Sequence, residues 1–477
     1  MISRSLDISS YKMILSECLW GLTALGIFIK WIMRHNNIFK NTQGLETAWL
    51  VFITVLSIYL LDHFSFTTFL FNNRWMVSPL INFAKISGII VTFLFLKPLE
   101  DQNMEIYKLE YRFLMLVNLI GLFFTLSSND LICLYLGLEI QALCLYIIIG
   151  IFPVETLFKE IKLKAFILGG IGSAVLLYGL SLIYGFSGGD VSYMAIHQAF
   201  RTPQIGLIAG MIFVLTGLFF RLSIFPFHFG IDKPSSRCGY LQFSLLTIFS
   251  TLSSVVILVR FKSYIFSSSL PILYFIESIA FLFLLIGAFG GLLQTKLKPL
   301  MAYSHLHHIG FLLLGLLTAT PNNTGIIIYL ITYLLPLLGS LILFMSIKYQ
   351  DQDVESLSDL KGLAQIYPKV ALLLTIFLGS LAGLPFVAGF WGKYYILLEL
   401  MKENLRIISV LSVLLSLIST FYYIRIIKIM YFGNKIKFID IRINNFSNIT
   451  TYFIFIFTIL FFFIQNWILP YLSILTK

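Results

Sequence analysis

Hydrophobic residues fall along this chain in long runs, separated by short polar stretches. A helix that crosses a membrane needs about 20 consecutive apolar residues. Dividing the chain in that unit predicts about fourteen helices, with approximate limits 13–33, 48–66, 79–97, 110–127, 130–152, 160–186, 205–231, 238–261, 271–294, 299–319, 325–348, 368–402, 406–430 and 450–472. The longest polar stretches lie near 34–47, 187–204, 349–367 and 431–449, and none amounts to a soluble domain. The predicted fold is an all-α polytopic membrane unit, because lipid cannot satisfy the open edge of a sheet.

Two of the expected spans are interrupted. The seventh contains Arg221-Leu-Ser-Ile-Phe-Pro226-Phe-His228, and the twelfth contains Ala382-Gly-Leu-Pro385-Phe-Val-Ala-Gly389-Phe-Trp-Gly392-Lys393. Proline removes a backbone donor and clashes with the preceding turn, so each helix is expected to break there. The freed backbone groups are tolerated in a membrane only where protein or a water-filled cavity covers them. Matching interruptions in two halves of a chain point to a transport site at a repeat interface; two ordinary proline kinks are the plainer reading.

Composition supports the membrane assignment. The 477 residues are 58% hydrophobic and only 12% charged, about half the charge of a soluble domain. That excludes a water-soluble enzyme, a disordered tail and a disulfide scaffold. The net charge of +11 does not indicate a nucleic-acid partner, since surplus Lys and Arg in a membrane protein mark short loops on one side. Loops after odd-numbered spans carry roughly 18 Lys and Arg against roughly 9 opposite, which turns both termini away from the cytoplasm or matrix. Lys159, Lys162, Lys164, Lys296, Lys298, Lys435 and Lys437 lie on the rich side. Met1 to Ser10 has neither an apolar signal core nor a long amphipathic Arg/Ser-rich helix, so the first run is read as a true span.

Cys18, Cys133, Cys144 and Cys238 form no CxxC pair and read as buried small hydrophobes, with no metal or iron–sulfur site in the chain. No phosphate-binding glycine loop is present. Gly206-x-x-x-Gly210 and Gly287-x-x-x-Gly291 lie in apolar runs and read as close helix crossings.

The informative residues are charges inside spans. Glu139 sits in the middle of the fifth, in Leu134-Tyr-Leu-Gly-Leu-Glu139-Ile-Gln141, where a charge costs about 2.5–3.5 kcal/mol. It reads as a titratable relay carboxylate or as one half of a fixed ion pair. Lys393 follows the twelfth-span break; a buried lysine can release its proton, whereas one near an interface would snorkel to it. Arg221 keeps its charge and cannot carry a proton. His228 and His308 can titrate near neutrality. His305 and His308 share a face at i, i+3 with no Cys or carboxylate beside them. Ser250, Thr251, Ser253 and Ser254 in the eighth span either line water or bond their own helix. Glu17 and Lys85 are further candidates for the interior of the first and third spans.

As a set these residues resemble the antiporter-like subunits of respiratory complex I. Ser128-Asn129-Asp130 through Glu139 resembles the family's fifth helix. Glu160 through Lys164 to Gly169, with Ser173 and Leu177-Tyr178-Gly179, resembles the sixth. Phe220-Arg221 through Pro226 to His228 resembles the seventh-helix break, and Leu300 through Tyr303-Ser304 to His308 and Gly310 the tenth helix. Asp359 to Gly362, then Ala382 through Pro385 to Gly389-Phe390 and Lys393, resembles the twelfth; Tyr422-Tyr423 with Arg425 and Lys428 resembles the thirteenth.

The resemblance implies fourteen helices with two inverted five-helix repeats and two discontinuous helices. It divides the chain into an N-terminal three-helix segment (1–109), repeats over 110–262 and 271–431, and a C-terminal helix (432–477). It implies a proton pathway with no redox cofactor in this chain. FMN, iron–sulfur clusters and quinone are expected in partner subunits of the NADH:quinone oxidoreductase, and the expected contacts are neighbouring antiporter-like and small membrane-arm subunits and membrane lipids. The family's relay maps to Glu139, Arg221, Thr251, His308 and Lys393, with His228 beside it. Arg221 and Thr251 stand where the family carries lysines, and Pro234-Ser-Ser-Arg237 lacks its proline-rich turn. Two other readings stay open: a subunit of a multi-subunit sodium/proton antiporter, and a bridging subunit that no longer transports. The residue bias toward Phe, Ile, Lys and Asn points to the mitochondrial inner membrane, with a bacterial plasma membrane second.

Overall fold

The computed structural model of the chain describes residues 8–33, 53–57, 67–96, 108–151, 157–222, 239–264, 270–318, 323–349, 352–433, 439–441 and 445–475. These residues are mostly helical. The helices are α1 (Ile8–Met33), α2 (Pro79–Leu96), α3 (Lys108–Ser127), α4 (Leu131–Ile151), α5 (Leu157–Phe186), α6 (Tyr193–Ala199), α7 (Ile205–Arg221), α8 (Tyr240–Tyr264), α9 (Leu270–Leu293), α10 (Leu297–Leu316), α11 (Thr324–Ser346), α12 (Leu363–Ile366), α13 (Pro368–Ala382), α14 (Ala388–Lys402), α15 (Arg406–Phe432) and α16 (Asn445–Leu475). Among the described residues, eight helices are long and apolar enough to cross a membrane. The chain forms two compact units, one of residues 1–155 and 173–210, the other of 156–172 and 211–477.

In the first unit α3 packs along α4 and against α1 and α2. Glycines permit the α3–α4 crossing: a side chain on Gly137 would meet the Thr125 backbone nitrogen at 2.7 Å. A short hairpin, β1 (Thr68–Leu70) and β2 (Trp75–Val77), pairs Phe69 with Met76. The polar stretch expected over 187–204 contains a helix, α6, whose Ser192 cap accepts from the Ala195 N–H at 3.3 Å, a local satisfaction of a free amide that hydropathy does not register.

The second unit is built around α8, α10 and α11, which are buried along most of their length. A helix apolar on all sides belongs in such a core. α9 lies along α10, with Gly287 against the His307 backbone, and α9 also packs on α15. Arg425 of α15 donates to the carbonyls of Leu292 at 2.9 Å and Gln294 at 2.6 Å. A cation is thus held on the free carbonyls at the α9 C-terminus, where the helix dipole favours it. β3 (Ile347–Tyr349) pairs antiparallel with both β4 (Gln352–Asp353) and β5 (Ile439–Ile441). Asp359 and Ser356 form a reciprocal capping box at the turn over Leu357–Leu360, within the stretch read from sequence as a polar loop.

The expected twelfth span is two helices. α13 stops at Ala382, Gly383 takes a left-handed conformation with φ of +85°, and α14 restarts at Ala388. The seventh-span counterpart, α7, ends at Arg221. Pro226, His228 and the 234–237 stretch lie outside the described residues.

Candidate functional site

In the first unit Glu139 is half-buried on α4. The hydroxyl of Ser173 on α5 donates to its Oε1. The preceding Ser128-Asn129-Asp130 motif builds the start of this helix. Asp130 Oδ1 accepts from the Ile132 N–H at 2.9 Å, and Asn129 Nδ2 donates to the Asn73 carbonyl at 2.8 Å. Those residues therefore position α4. Glu17 of α1 and Lys85 of α2 form a buried pair in which Lys85 Nζ donates to Glu17 Oε1.

In the second unit Lys393 lies on α14 just beyond the break and is buried. Its Nζ donates to the Ala382 carbonyl at 2.9 Å, the last residue of α13. Helix ends leave backbone groups unpaired, and inside a membrane these must find protein partners. The other end is satisfied likewise: the Gly389 N–H donates to Ser380 Oγ at 2.9 Å. The glycines are required by this closeness. A Cβ on Gly383 would lie 3.0 Å from Lys393 Cδ, and one on Gly389 would lie 1.8 Å from the Ser380 carbonyl oxygen.

His308 is buried on α10, between two tyrosine hydroxyls. Its Nδ1 bonds Tyr329 of α11 at 2.8 Å, and its Nε2 bonds Tyr423 of α15 at 3.1 Å. Tyr423 in turn bonds Ser304. His305 Nδ1 bonds Tyr333 at 2.5 Å. Aromatic rings join this network to the lysine: Lys393 Nζ stands 5.4 Å over the Phe311 ring, and Phe311 stacks on Tyr329 at 5.8 Å. The structure thus brings Lys393 and His308 into one buried aromatic cluster.

Thr251 is buried on α8, and its hydroxyl donates to the carbonyls of Thr247 at 2.8 Å and Ile248 at 2.9 Å. Ser250 and Ser253 bond their own helix in the same way. Ser254 Oγ and His307 Nε2 are buried without a hydrogen-bond partner. Arg221 closes α7 and is partly exposed. Sequence reasoning missed four residues. Tyr329 and Tyr333 carry no signal beyond ordinary core aromatics. Lys262 and Glu399 lie near span ends, where charges read as interface anchors, yet both are buried in the second unit.

Fold and site together define a polytopic helical membrane protein, with ionisable groups held inside it at an interrupted span. The family described as NADH:quinone oxidoreductase/Mrp antiporter, transmembrane, matches residues 128–419. NADH-quinone oxidoreductase subunit N of Paramagnetospirillum magneticum is 34% identical over 383 residues, covering 78% of each chain. The subunit N of Maricaulis maris is 30% identical over 463 residues, covering 95% of this chain and 93% of the other. The chain belongs to this family of NADH:quinone oxidoreductase and Mrp antiporter membrane subunits. Solved structures share the fold. A chain of respiratory complex I from Thermus thermophilus superposes with a TM-score of 0.82 at 20% identity, over 96% of this chain and 99% of that one. A chain of the Mrp complex from Dietzia sp. gives 0.82 at 16% identity, over 97% of each.

Proposed function

We propose that this chain is a membrane-arm subunit of a proton-translocating NADH:quinone oxidoreductase and contributes one proton pathway to it. The observation that carries the reading is the buried Lys393 at the α13–α14 break, joined through Phe311 and Tyr329 to His308. A lysine so placed can be loaded and unloaded when its surroundings change. The proton-carrying groups are Glu139 in the first unit and His308 and Lys393 in the second, with Arg221, Thr251 and His228 as charge control and polar lining. Ser254 Oγ and His307 Nε2 are further polar atoms buried and unpaired in the second unit. Arg221 supplies field rather than protons, because arginine stays charged.

In this reading the chain has fourteen spans arranged as two inverted repeats, with divisions near 110–262 and 271–431, and holds no redox group of its own. FMN, iron–sulfur clusters and quinone belong to its partners. The sequence identity of 30–34% to oxidoreductase subunits favours this reading over a sodium/proton antiporter, whose likeness here rests on the shared family model and on a fold match at 16% identity. The relatives compared are bacterial, which favours a bacterial plasma membrane over the mitochondrial inner membrane first expected from composition. Both termini face away from the cytoplasm.

The test is purification of the detergent-solubilised complex through a tag on this chain. NADH dehydrogenase activity, flavin and iron–sulfur signals should co-purify in one large assembly. Recovery in a smaller assembly without NADH activity, but with sodium-dependent proton exchange, would overturn the assignment in favour of the antiporter.

A further inference from the structure

A second buried polar cluster lies in the second unit, apart from the lysine at the break. Lys262, near the C-terminal end of α8, donates from Nζ to Thr318 Oγ1 at 2.9 Å and to the Gly315 carbonyl at 3.3 Å. Thr318 Oγ1 lies 3.5 Å from Glu399 Oε2 on α14 and 2.9 Å from the Gly315 carbonyl, so its proton has two acceptors. Glu399 Oε1 also accepts from the Gly325 N–H at 3.1 Å and from Thr324 Oγ1 at 3.5 Å, both at the start of α11. Gly325 is required: a Cβ there would stand 2.7 Å from Glu399 Oε1. Lys262, Thr318 and Glu399 are all buried.

A lysine and a glutamate buried together in an apolar bundle are costly unless paired or used. Here the pair is mediated by a hydroxyl. Thr318 accepts from the ammonium and is placed to donate to the carboxylate, so it separates a proton donor from an acceptor by one rotatable O–H.

The cluster also lies between interior and rim. Lys393 and Glu399 are six residues apart on α14, about 9 Å along its axis, and Ser254 and Lys262 are eight apart on α8, about 12 Å. Ile396, fully buried, lies between Lys393 and Glu399. One turn beyond Glu399 comes the half-buried Glu403, where α14 ends.

We propose that Lys262, Thr318 and Glu399 form the terminal proton-transfer site of this subunit, handing protons between its interior and the aqueous face where α11 begins. The inference rests on the proton-pathway reading above and names the residues that complete it. In the transfer, an N–H bond on Lys262 breaks and its proton goes to Thr318 Oγ1. The hydroxyl's own proton passes to Glu399 Oε2, which leaves a neutral amine, a threonine and a carboxylic acid. Glu399 then releases its proton to water on the Glu403 side, the amine is reprotonated from the interior, and the Thr318 O–H rotates back. Ile396 is the dry segment that keeps this site from equilibrating freely with Lys393.

The test uses the whole complex reconstituted in sealed vesicles, with proton uptake read by a pH-sensitive dye and NADH oxidation followed in parallel. Glu399→Gln and Thr318→Val should each lower protons moved per NADH as far as Lys393→Met does, and Glu399→Asp should restore much of the loss. If Lys393→Met lowers the ratio while Glu399→Gln and Thr318→Val leave it unchanged, this inference fails and the pathway reading stands. If Lys393→Met also leaves it unchanged, the reading itself fails. Should the variants not assemble, the unsubstituted complex decides. A hydrophobic carbodiimide reacts with protonated carboxyls in apolar surroundings and should modify Glu399, with loss of proton transport in proportion. An unmodified Glu399, seen by peptide mass analysis, overturns the proposal.

Discussion

Lys393 caps the helix that ends eleven residues before it: its ammonium donates to the Ala382 carbonyl at 2.9 Å. The carbonyl end of a helix carries partial negative charge, so a cation is favoured there. One side chain thus holds the break together and offers a proton within the membrane. The two roles separate by substitution. Lys393→Met leaves the Ala382 carbonyl with only the longer bond from Thr420 Oγ1, at 3.5 Å, a loss of about 0.5–1.5 kcal/mol, and should abolish this subunit's share of proton transport. Lys393→Arg keeps a charged cap but cannot release a proton. The arginine variant should assemble in near-normal amount on a native gel and still lose proton output per NADH. Full proton output from it would show that Lys393 acts only as a cap.

Glu139 and Ser173 make a graded test of the first unit. Glu139→Gln removes the titratable group. Ser173→Ala removes only the hydroxyl that donates to it, a charge-assisted bond worth about 1.5–3 kcal/mol. Protons moved per NADH should fall in the order unsubstituted, Ser173→Ala, Glu139→Gln, with NADH oxidation measured alongside. Equal output from all three would remove Glu139 from the pathway.

How much of this was legible in the sequence depends on whether a feature is local. The break is local: Gly383, Pro385 and Gly389 announce it, and the helices end at Ala382 and restart at Ala388. Glu139 is legible because a carboxylate inside a long apolar run has no cheap explanation. The partner of Lys393 was not legible, since the backbone oxygen it meets is free only once α13 has ended. The tyrosines around His308 were hidden for another reason. Tyr329 and Tyr423 come from α11 and α15, and only the packing of both on α10 turns ordinary aromatics into imidazole ligands. Lys262 and Glu399 were missed because a charge near a span end reads as an anchor in the interface, whereas tertiary packing buries both.

The His308 network predicts a stepwise loss. Tyr329→Phe and Tyr423→Phe each remove one ring partner and leave a buried nitrogen unpaired, at about 1–3 kcal/mol. Each single change should reduce proton output per NADH less than His308→Phe does. The double change should match His308→Phe, because nothing then orients the ring through its nitrogens. The amount of assembled complex should be checked for each variant, so that a transport defect is read per complex. Should His308→Phe translocate normally, the tyrosine–histidine cluster is only a packing device.

The close approach of α13 and α14 predicts a sharp contrast between two glycines. Gly389 has no room: a Cβ would lie 1.8 Å from the Ser380 carbonyl oxygen and 3.1 Å from Ser380 Oγ, the atom that accepts from the Gly389 N–H. A methyl group must therefore push α14 away from α13, breaking that bond and withdrawing Lys393 from Ala382. Gly170, on α5, is exposed, and a methyl group there would meet nothing within 4 Å. Alanine is the better helix former at such a position by about 1 kcal/mol. Gly389→Ala should sharply reduce the amount of complex on a native gel, and Gly170→Ala should leave it unchanged. Normal assembly of Gly389→Ala with normal proton output would mean that the junction tolerates separation, and that Lys393 does not need Ala382 to hold its place.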